Sequence, residues 1–551
     1  MKTNDTQRNT LLYVHISTHF KEIIRVARVM KNSKMYHPII FFDVKYEGVE
    51  HHIAICQAEG IQYICYFDIN NFDPNKSVKI KLWFRIVRRF FILLLWFFEI
   101  IKYLLLPFAF IVKSLFAVYH RLFAKKMSNS NAKSKIGFFD FTSKTFIDFY
   151  NKLFKPTSPG SPMNSQRKLS NLLLSGYSFV WNKLPYFLPA ISRLAHRYCE
   201  YIPGILKQYD IKLMVFPEHN LFYFTQLFVY IGKKQGIASI IVPFTIANTL
   251  EWSEAFYKEK SRSLSNLYNK VCAFAFPHWI HTYKDRQLLL PVELVLFHEM
   301  LQISPKNPWL LNSGDIDFLA LESNAMKEYY ISAGIEEKYL RATGALYNDE
   351  LYFKLQNSNE NREQLYKSLN MQPGKPLLLC ALPPNQCTGR KDELEFSDYE
   401  EIVRFVMSEL SKYATDYNIV VNLHPRIKPE SVEYINEYPI TIFKGDIAEV
   451  IPLSSIYVAT CSATIRMAVS CGIPVINYDL YRYRYDDYNQ LDGVLTLFDR
   501  DEFSTQLRHL LVEKEFYKQL QSAQIKDSNK WGTLDGKAGA NLLNEIDLLF
   551  V

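Results

Sequence analysis

A chain of 551 residues is too long for one ordinary core, which predicts two domains and additional segments. Its 48% hydrophobic and 15% aromatic content excludes a disordered class for most of the length. The formal charge of +8 is modest and the basic residues are dispersed, so a nucleic-acid partner is not expected, whereas a membrane surface or an anionic small substrate fits. Eight cysteines without a C-x-x-C pair exclude a zinc ribbon and a disulfide framework. Met1–Thr10 is polar and has no signal-peptide core, so a cytoplasmic setting is expected.

Strand-like runs over Leu11–Ile16, Pro38–Val44 and Ile61–Phe67, with an amphipathic helix over Thr18–Met30, read as the start of a parallel sheet covered by helices. The alternation is interrupted from Lys79 to Lys126 by an apolar helical insertion centred on Phe90–Val112. Arg85, Arg88, Glu99, Lys102 and Lys113 form one stripe on it, and Pro107 lies within. That pattern predicts a helix or hairpin lying in a membrane interface, a buried core helix being the alternative. Residues 127–165, rich in Ser, Asn, Lys and Pro, read as a loop.

The pattern resumes with a helical stretch from Ser165 to Gln208 and the strand Ile211–Phe216, which ends in Pro217-Glu218-His219-Asn220. A helix over Leu221–Lys234 follows, then strands over Ala238–Val242, Asp317–Leu321 and Tyr339–Thr343. The first domain is placed at 1–344 and a second, opening at Leu377–Leu382, at 345–525. A last segment, 526–551, carries a helix that is expected to fold back across the boundary.

Two stretches of the second domain are the most informative. Ile419–Leu423 breaks into His424-Pro425-Arg426, and Ile456–Ala459 breaks into Thr460-Cys461-Ser462-Ala463-Thr464 before a helical run closed by Cys471-Gly472. Open parallel sheets bind ligands outside the carboxyl ends of such strands, and a helix N-terminus favours an anion. A nucleotide or phosphate site is therefore expected, with His424 and Arg426 on the phosphate and Ser462 and Thr464 at the helix start. Helix capping accounts equally well for Ser462 and Thr464, and closure of its own loop for His424. Asn385 and Gln386, with Arg390, are expected to border the same cleft, and Lys444-Gly445-Asp446 to offer a base-binding edge.

A His-Pro turn after one strand and a Ser/Thr-bearing turn after the next resemble the GT-B glycosyltransferases of bacterial surface polysaccharides, in particular the polysialyltransferase and capsule keto-deoxyoctonate transferase group. His424-Pro425 matches the HP pair of that group. Ser462-Ala463-Thr464 matches its paired-hydroxyl motif only in part. The resemblance implies an α/β GT-B fold, two doubly wound Rossmann-like domains facing a cleft, here with a membrane-associating insertion in the first. It also implies inverting transfer of an acidic sugar from a CMP-activated donor to a glycan or glycolipid acceptor, without metal or other cofactor. The enzyme would be peripheral on the inner face of the cell membrane, where a polysaccharide-assembly complex is a further possible partner.

Transfer with inversion needs a general base on the acceptor side. Glu218 and His219, at the carboxyl end of a first-domain strand, suit that role. Glu218 is favoured because Phe216, Pro217 and Phe222 would shield it, and His15 and His19 are its rivals. The alternative for Glu218 and His219 is a cap on the helix opening at Leu221. Asp315-Ile316-Asp317 has a D-x-D form but precedes a strand, which favours a turn over a metal site. No G-x-x-x-x-G-K-[ST] or G-x-G-x-x-G occurs, so kinase and dehydrogenase phosphate loops are absent. Nucleotide-sugar 2-epimerases place glutamates where this chain has Ile465-Arg466, which argues against that activity. CDP-polyol phosphotransferases of teichoic-acid type and a non-catalytic assembly scaffold are the remaining alternatives.

Overall fold

The computed structural model describes residues 7–67, 198, 201–243, 249–257, 259–301, 303–387 and 394–551. Most of the polypeptide forms two parallel sheets. The first orders its strands β3-β2-β1-β4-β5-β8-β9, where β1 is Arg8–Val14, β2 Tyr36–Phe42, β3 Gln62–Cys65, β4 Ile211–Phe216, β5 Ala238–Ile241, β8 Phe318–Leu321 and β9 Leu340–Ala342. The second orders them β12-β11-β10-β13-β14-β15, where β10 is Leu377–Leu382, β11 Asn418–Leu423, β12 Thr441–Phe443, β13 Ile456–Ala459, β14 Val475–Tyr478 and β15 Val494–Leu497. In each sheet the chain starts at a central strand, winds outward to one edge, and returns to the other side. That order creates a switch point between β1 and β4 in one sheet and between β10 and β13 in the other, the place where doubly wound sheets hold ligands. The expected fold class, two Rossmann-like α/β halves, is the observed one.

Both sheets lie in one compact unit, Met1–Phe72 with Pro203–Glu254 and Pro305–Val551. The strands are apolar on both faces, as parallel strands covered by helices must be: Leu11, Leu12, Tyr13 and Val14 of β1 and Leu377, Leu378 and Leu379 of β10 are fully buried. The helix Ser17–Ser33 covers β1 and β2 with Ile23, Val26, Ala27 and Met30, all 0% exposed. Burying each of the larger of these side chains stabilises the lobe by roughly 1.5–3 kcal/mol. The helix Ala538–Asp547 adds Leu542 and Ile546 to the core of this first lobe. It begins where Asp349 accepts hydrogen bonds from the backbone N–H groups of Ala538 (3.0 Å) and Gly539 (2.9 Å), so a carboxylate sits at its positive end. Tyr36 donates a hydrogen bond to Asp547 at its other end.

A second compact unit comprises Asp73–Ile202 and Ala255–Ser304. Its described part contains an antiparallel hairpin, β6 Ile280–Tyr283 and β7 Arg286–Leu289, with the helices Leu267–Ala275 and Val292–Leu301. Trp279 is buried there and its indole N–H donates to Glu299 Oε1 at 2.7 Å. The apolar insertion of residues 79–126, the loop of 127–165 and Arg390 lie outside the described residues. Among the described residues no helix is long and apolar enough to cross a membrane.

Candidate functional site

In the first lobe the carboxyl ends of β1, β2 and β4 bring four titratable groups together. β1 and β2 pair in parallel with Val14 opposite Phe42, so the residues that follow, His15 and Asp43, emerge side by side. His15 Nδ1 lies 2.6 Å from Asp43 Oδ2, and the Tyr13 hydroxyl donates to that same oxygen at 2.6 Å. The Asp43 side chain is fully buried and that of His15 is 18% exposed. His19, on the first turn of the helix Ser17–Ser33, is also fully buried. Its Nδ1 accepts the backbone N–H of His15 at 3.3 Å, which leaves the ring proton on Nε2, 3.1 Å from Glu218 Oε1. Burial pushes the His19 imidazole below its ordinary pKa, with Glu218 pulling the other way.

Glu218 is therefore buried, with one oxygen engaged by a neutral histidine. Of the three neighbours expected to shield it, Phe216 and Pro217 are buried but Phe222 is 40% exposed. His219 is buried beside the loop that precedes β8. Its backbone N–H donates to Asn312 Oδ1 at 2.7 Å, and a Cβ on Gly314 would overlap its ring. The expected helix at Leu221 starts later, at Thr225, because Asn220 Oδ1 accepts the N–H of Phe222 and forms a turn first. That turn places Tyr223 against His15, with ring centroids 4.3 Å apart.

In the second lobe His424 follows β11 and is half-buried, while Pro425 and Arg426 are exposed. His424 Nδ1 accepts the backbone N–H of Arg426 at 3.1 Å, so in the neutral ring Nε2 bears the proton. Burial, and then the cations Arg426 and Lys21, hold the imidazole down at about 4. Near neutral pH it meets an anion as a hydrogen-bond donor, and the charge expected to assist it belongs to Arg426 and Lys21.

The Ser462 turn is built on strain. Cys461 has φ +43°, a left-handed backbone held by its N–H bond to Asn477 Oδ1 at 2.8 Å. The Ser462 and Thr464 hydroxyls bond each other at 2.7 Å, and Thr464 also bonds the buried Tyr457 hydroxyl. Thr464 is thus committed to the turn and positions Ser462. The helix that follows, Ile465–Ser470, has only six residues. Asn385 is exposed and its side chain accepts the N–H of Cys387 at 3.2 Å, closing its own turn, while the Gln386 N–H bonds Tyr481 Oη at 3.3 Å. Lys444 is exposed, and Gly445 is covered by the Phe443 ring, which a Cβ there would strike.

The two lobes meet through charges. Asp446, beyond β12, lies 3.4 Å from Lys21 and 3.6 Å from Arg25 on the helix Ser17–Ser33. Arg25 also holds Glu350 (2.8 Å) and Glu22 (3.2 Å). Arg466 of the second lobe is buried against Glu322, which follows β8 in the first. The Tyr223 hydroxyl is pushed up to about 12 by burial and Glu218, with Arg426 of the second lobe opposing. His15, His19, Glu218 and Tyr223 thus lie within electrostatic reach of the His424 loop. Asp315 and Asp317 stand elsewhere, before the first residue of β8, bound to Lys233 and to the Ser239 N–H respectively. Among the described residues no group of three or more His, Cys, Asp and Glu is arranged to hold a metal ion.

No protein-family model and no curated protein matches the chain. Among solved structures, UDP-GlcNAc 2-epimerase from Neisseria meningitidis aligns over 98% of this chain and 100% of its own at 11% identity and a TM-score of 0.45. A glycosyltransferase from Rickettsia africae aligns over 99% of each chain at 11% identity and a TM-score of 0.44. The wall teichoic acid polymerase TagF covers 61% of this chain and 73% of its own at 14% identity and a TM-score of 0.39. Such distant likeness adds nothing to the two strand orders, which define the fold by themselves.

Proposed function

We propose that the protein is a glycosyltransferase that moves a sugar from a nucleotide-activated donor to a hydroxyl of a glycan acceptor with inversion. The observation that carries this reading is the apposition of the His424–Arg426 loop of one doubly wound lobe to the His15, His19, Glu218 and Tyr223 cluster of the other. An electropositive loop with a neutral imidazole donor suits a leaving phosphate. Titratable groups opposite it suit proton removal from an incoming hydroxyl. Ser462 and the backbone around it would complete the phosphate contacts, with Asn385, Gln386 and Lys444 nearer the nucleoside. A donor with a single phosphate, CMP-linked to an acidic sugar, fits a site with few fixed cations and Arg466 in place of a ribose-binding glutamate. No metal ion is required in this scheme. The sequence of the insertion supports attachment to a membrane surface, where a lipid-linked acceptor is held.

The test is binding followed by turnover. Purified protein is screened by thermal shift with CMP, CDP, UMP and UDP, and stabilisation grows with occupancy of the folded state. Release of CMP from CMP-sialic acid or CMP-keto-deoxyoctonate in the presence of an oligosaccharide acceptor is the expected result. Preference for CDP-glycerol would instead make the enzyme a polyol phosphotransferase. Nucleotide binding without turnover of any donor would reduce it to a scaffold.

A further inference from the structure

Glu218 was the favoured base from sequence, yet its Oε1 is engaged by His19 and the residue is 4% exposed. His15 is placed differently. Its Nδ1 faces Asp43 Oδ2 at 2.6 Å, which puts the ring proton on Nδ1 and leaves the lone pair on Nε2. Nε2 makes no hydrogen bond to any described residue, the side chain is 18% exposed, and Tyr223 flanks the ring on the side that Arg426 reaches. Asp43 in turn is fixed by Tyr13, whose hydroxyl bonds the same oxygen at 2.6 Å, and its own N–H donates to Val14 O at 2.9 Å. An imidazole with one nitrogen held by a buried carboxylate and the other open is arranged to accept a proton.

Resting on the transferase reading above, the geometry points to His15 as the catalytic base, with Asp43 and Tyr13 as its positioning residues and the His19–Glu218 pair as a brace between β1 and β4. In the step, the acceptor hydroxyl gives its proton to His15 Nε2 while its oxygen bonds the anomeric carbon. The bond from that carbon to the donor's phosphate oxygen breaks, and its electron pair leaves on the phosphate. Asp43 then faces an imidazolium, whose charge it stabilises until the proton is released to solvent. His19 cannot substitute, since its Nδ1 is occupied by the His15 N–H and its Nε2 by Glu218.

The experiment combines imidazole NMR with kinetics on the full-length protein. In 15N-labelled protein the His15 resonance is expected to show the Nδ1–H tautomer, and Asp43→Asn to abolish that preference. Release of CMP from CMP-sialic acid with an oligosaccharide acceptor should fall about 100- to 10,000-fold in His15→Ala with donor KM little changed. Asp43→Asn should lower kcat with KM preserved, Asp43→Glu should recover part of the loss, and free imidazole should partly rescue His15→Gly. Glu218→Gln should cost less than His15→Ala.

An Nε2–H tautomer at His15 in the wild type overturns the assignment whatever the activity. So does a His15→Ala enzyme within about threefold of wild type, or a Glu218→Gln enzyme more damaged than His15→Ala. If the wild type turns over none of CMP-sialic acid, CMP-keto-deoxyoctonate, CDP-glycerol and UDP-GlcNAc, the transferase reading fails and the base assignment falls with it. An active wild type with a dispensable His15 overturns the base alone.

Discussion

Arg466 and Glu322 form an ion pair across the two lobes with side chains only 3% and 9% exposed. One comes from the helix after the Ser462 turn and the other from the end of β8, so the donor-side motif is tied to the first sheet by a buried charge. Removing one partner strands the other. Arg466→Met or Glu322→Gln should each destabilise the protein by about 3–5 kcal/mol, and the double variant by less than the sum. Chemical denaturation of the four proteins in one double-mutant cycle measures the coupling, and additive losses would refute it.

Glu22 makes stability depend on pH. Burial raises its carboxyl from 4.5 to about 7, against the pull of Arg25 and Arg466 and with the push of Glu350. A carboxyl whose folded pKa is raised favours folding when protonated, so its contribution is full below about 4.5 and is lost as pH rises through about 7. The loss across that window is on the order of 3 kcal/mol. Glu22→Gln should flatten the Tm profile between pH 5 and 8, and an unchanged slope would assign the dependence to other groups.

His424 should act on the leaving group. A phosphate beside its Nε2 offsets the burial and cationic neighbours that hold the ring at about 4, so nucleotide binding should raise its pKa. By linkage, CMP should bind more tightly as pH falls toward that bound value. His424→Ala should lower turnover about 100- to 1,000-fold while weakening intact donor less. Ser462→Ala should cost on the order of 1 kcal/mol. Thr464→Ala should act by loosening Ser462 and Tyr457, and the partition of each loss between kcat and KM tests this.

Deleting Phe90–Val112, or placing charges across Leu93–Phe98, should release the protein from membrane fractions while both sheets keep their cooperative melting. Wild-type protein that fractionates wholly without membranes and needs no detergent would rule out the interfacial role of this segment.

The strands were legible because parallel strands buried on both faces are continuous apolar runs: Ile211–Phe216 and Leu377–Leu382 match their expected bounds residue for residue. The hairpin β6–β7 was missed because Ile280–Tyr283 and Arg286–Leu289 are short and mixed in polarity, with a left-handed Lys284 where a glycine would have marked the turn. Within the site, His15, His19, Glu218 and His424 were visible as titratable residues after strands. Asp43 was not singled out, although the signal existed: in a parallel pair the residues that leave adjacent strands are neighbours, and β1 and β2 end together. The engagement of Glu218 by His19 was invisible, since it joins positions 199 residues apart.

The helix Ala538–Asp547 carries a further consequence for how the protein is made. Tyr36 and Asp547, which hydrogen-bond each other, are separated by 511 positions. At about 5–20 residues per second, a ribosome leaves roughly half a minute to two minutes between the first sheet and the helix that seals it. Through that interval the apolar face shared by Ile23, Ala27 and Met30 lacks Leu542 and Ile546. A nascent first lobe is therefore a client for chaperones until synthesis reaches Ile546, and slowing translation late in the message should lower the soluble yield more than slowing it early.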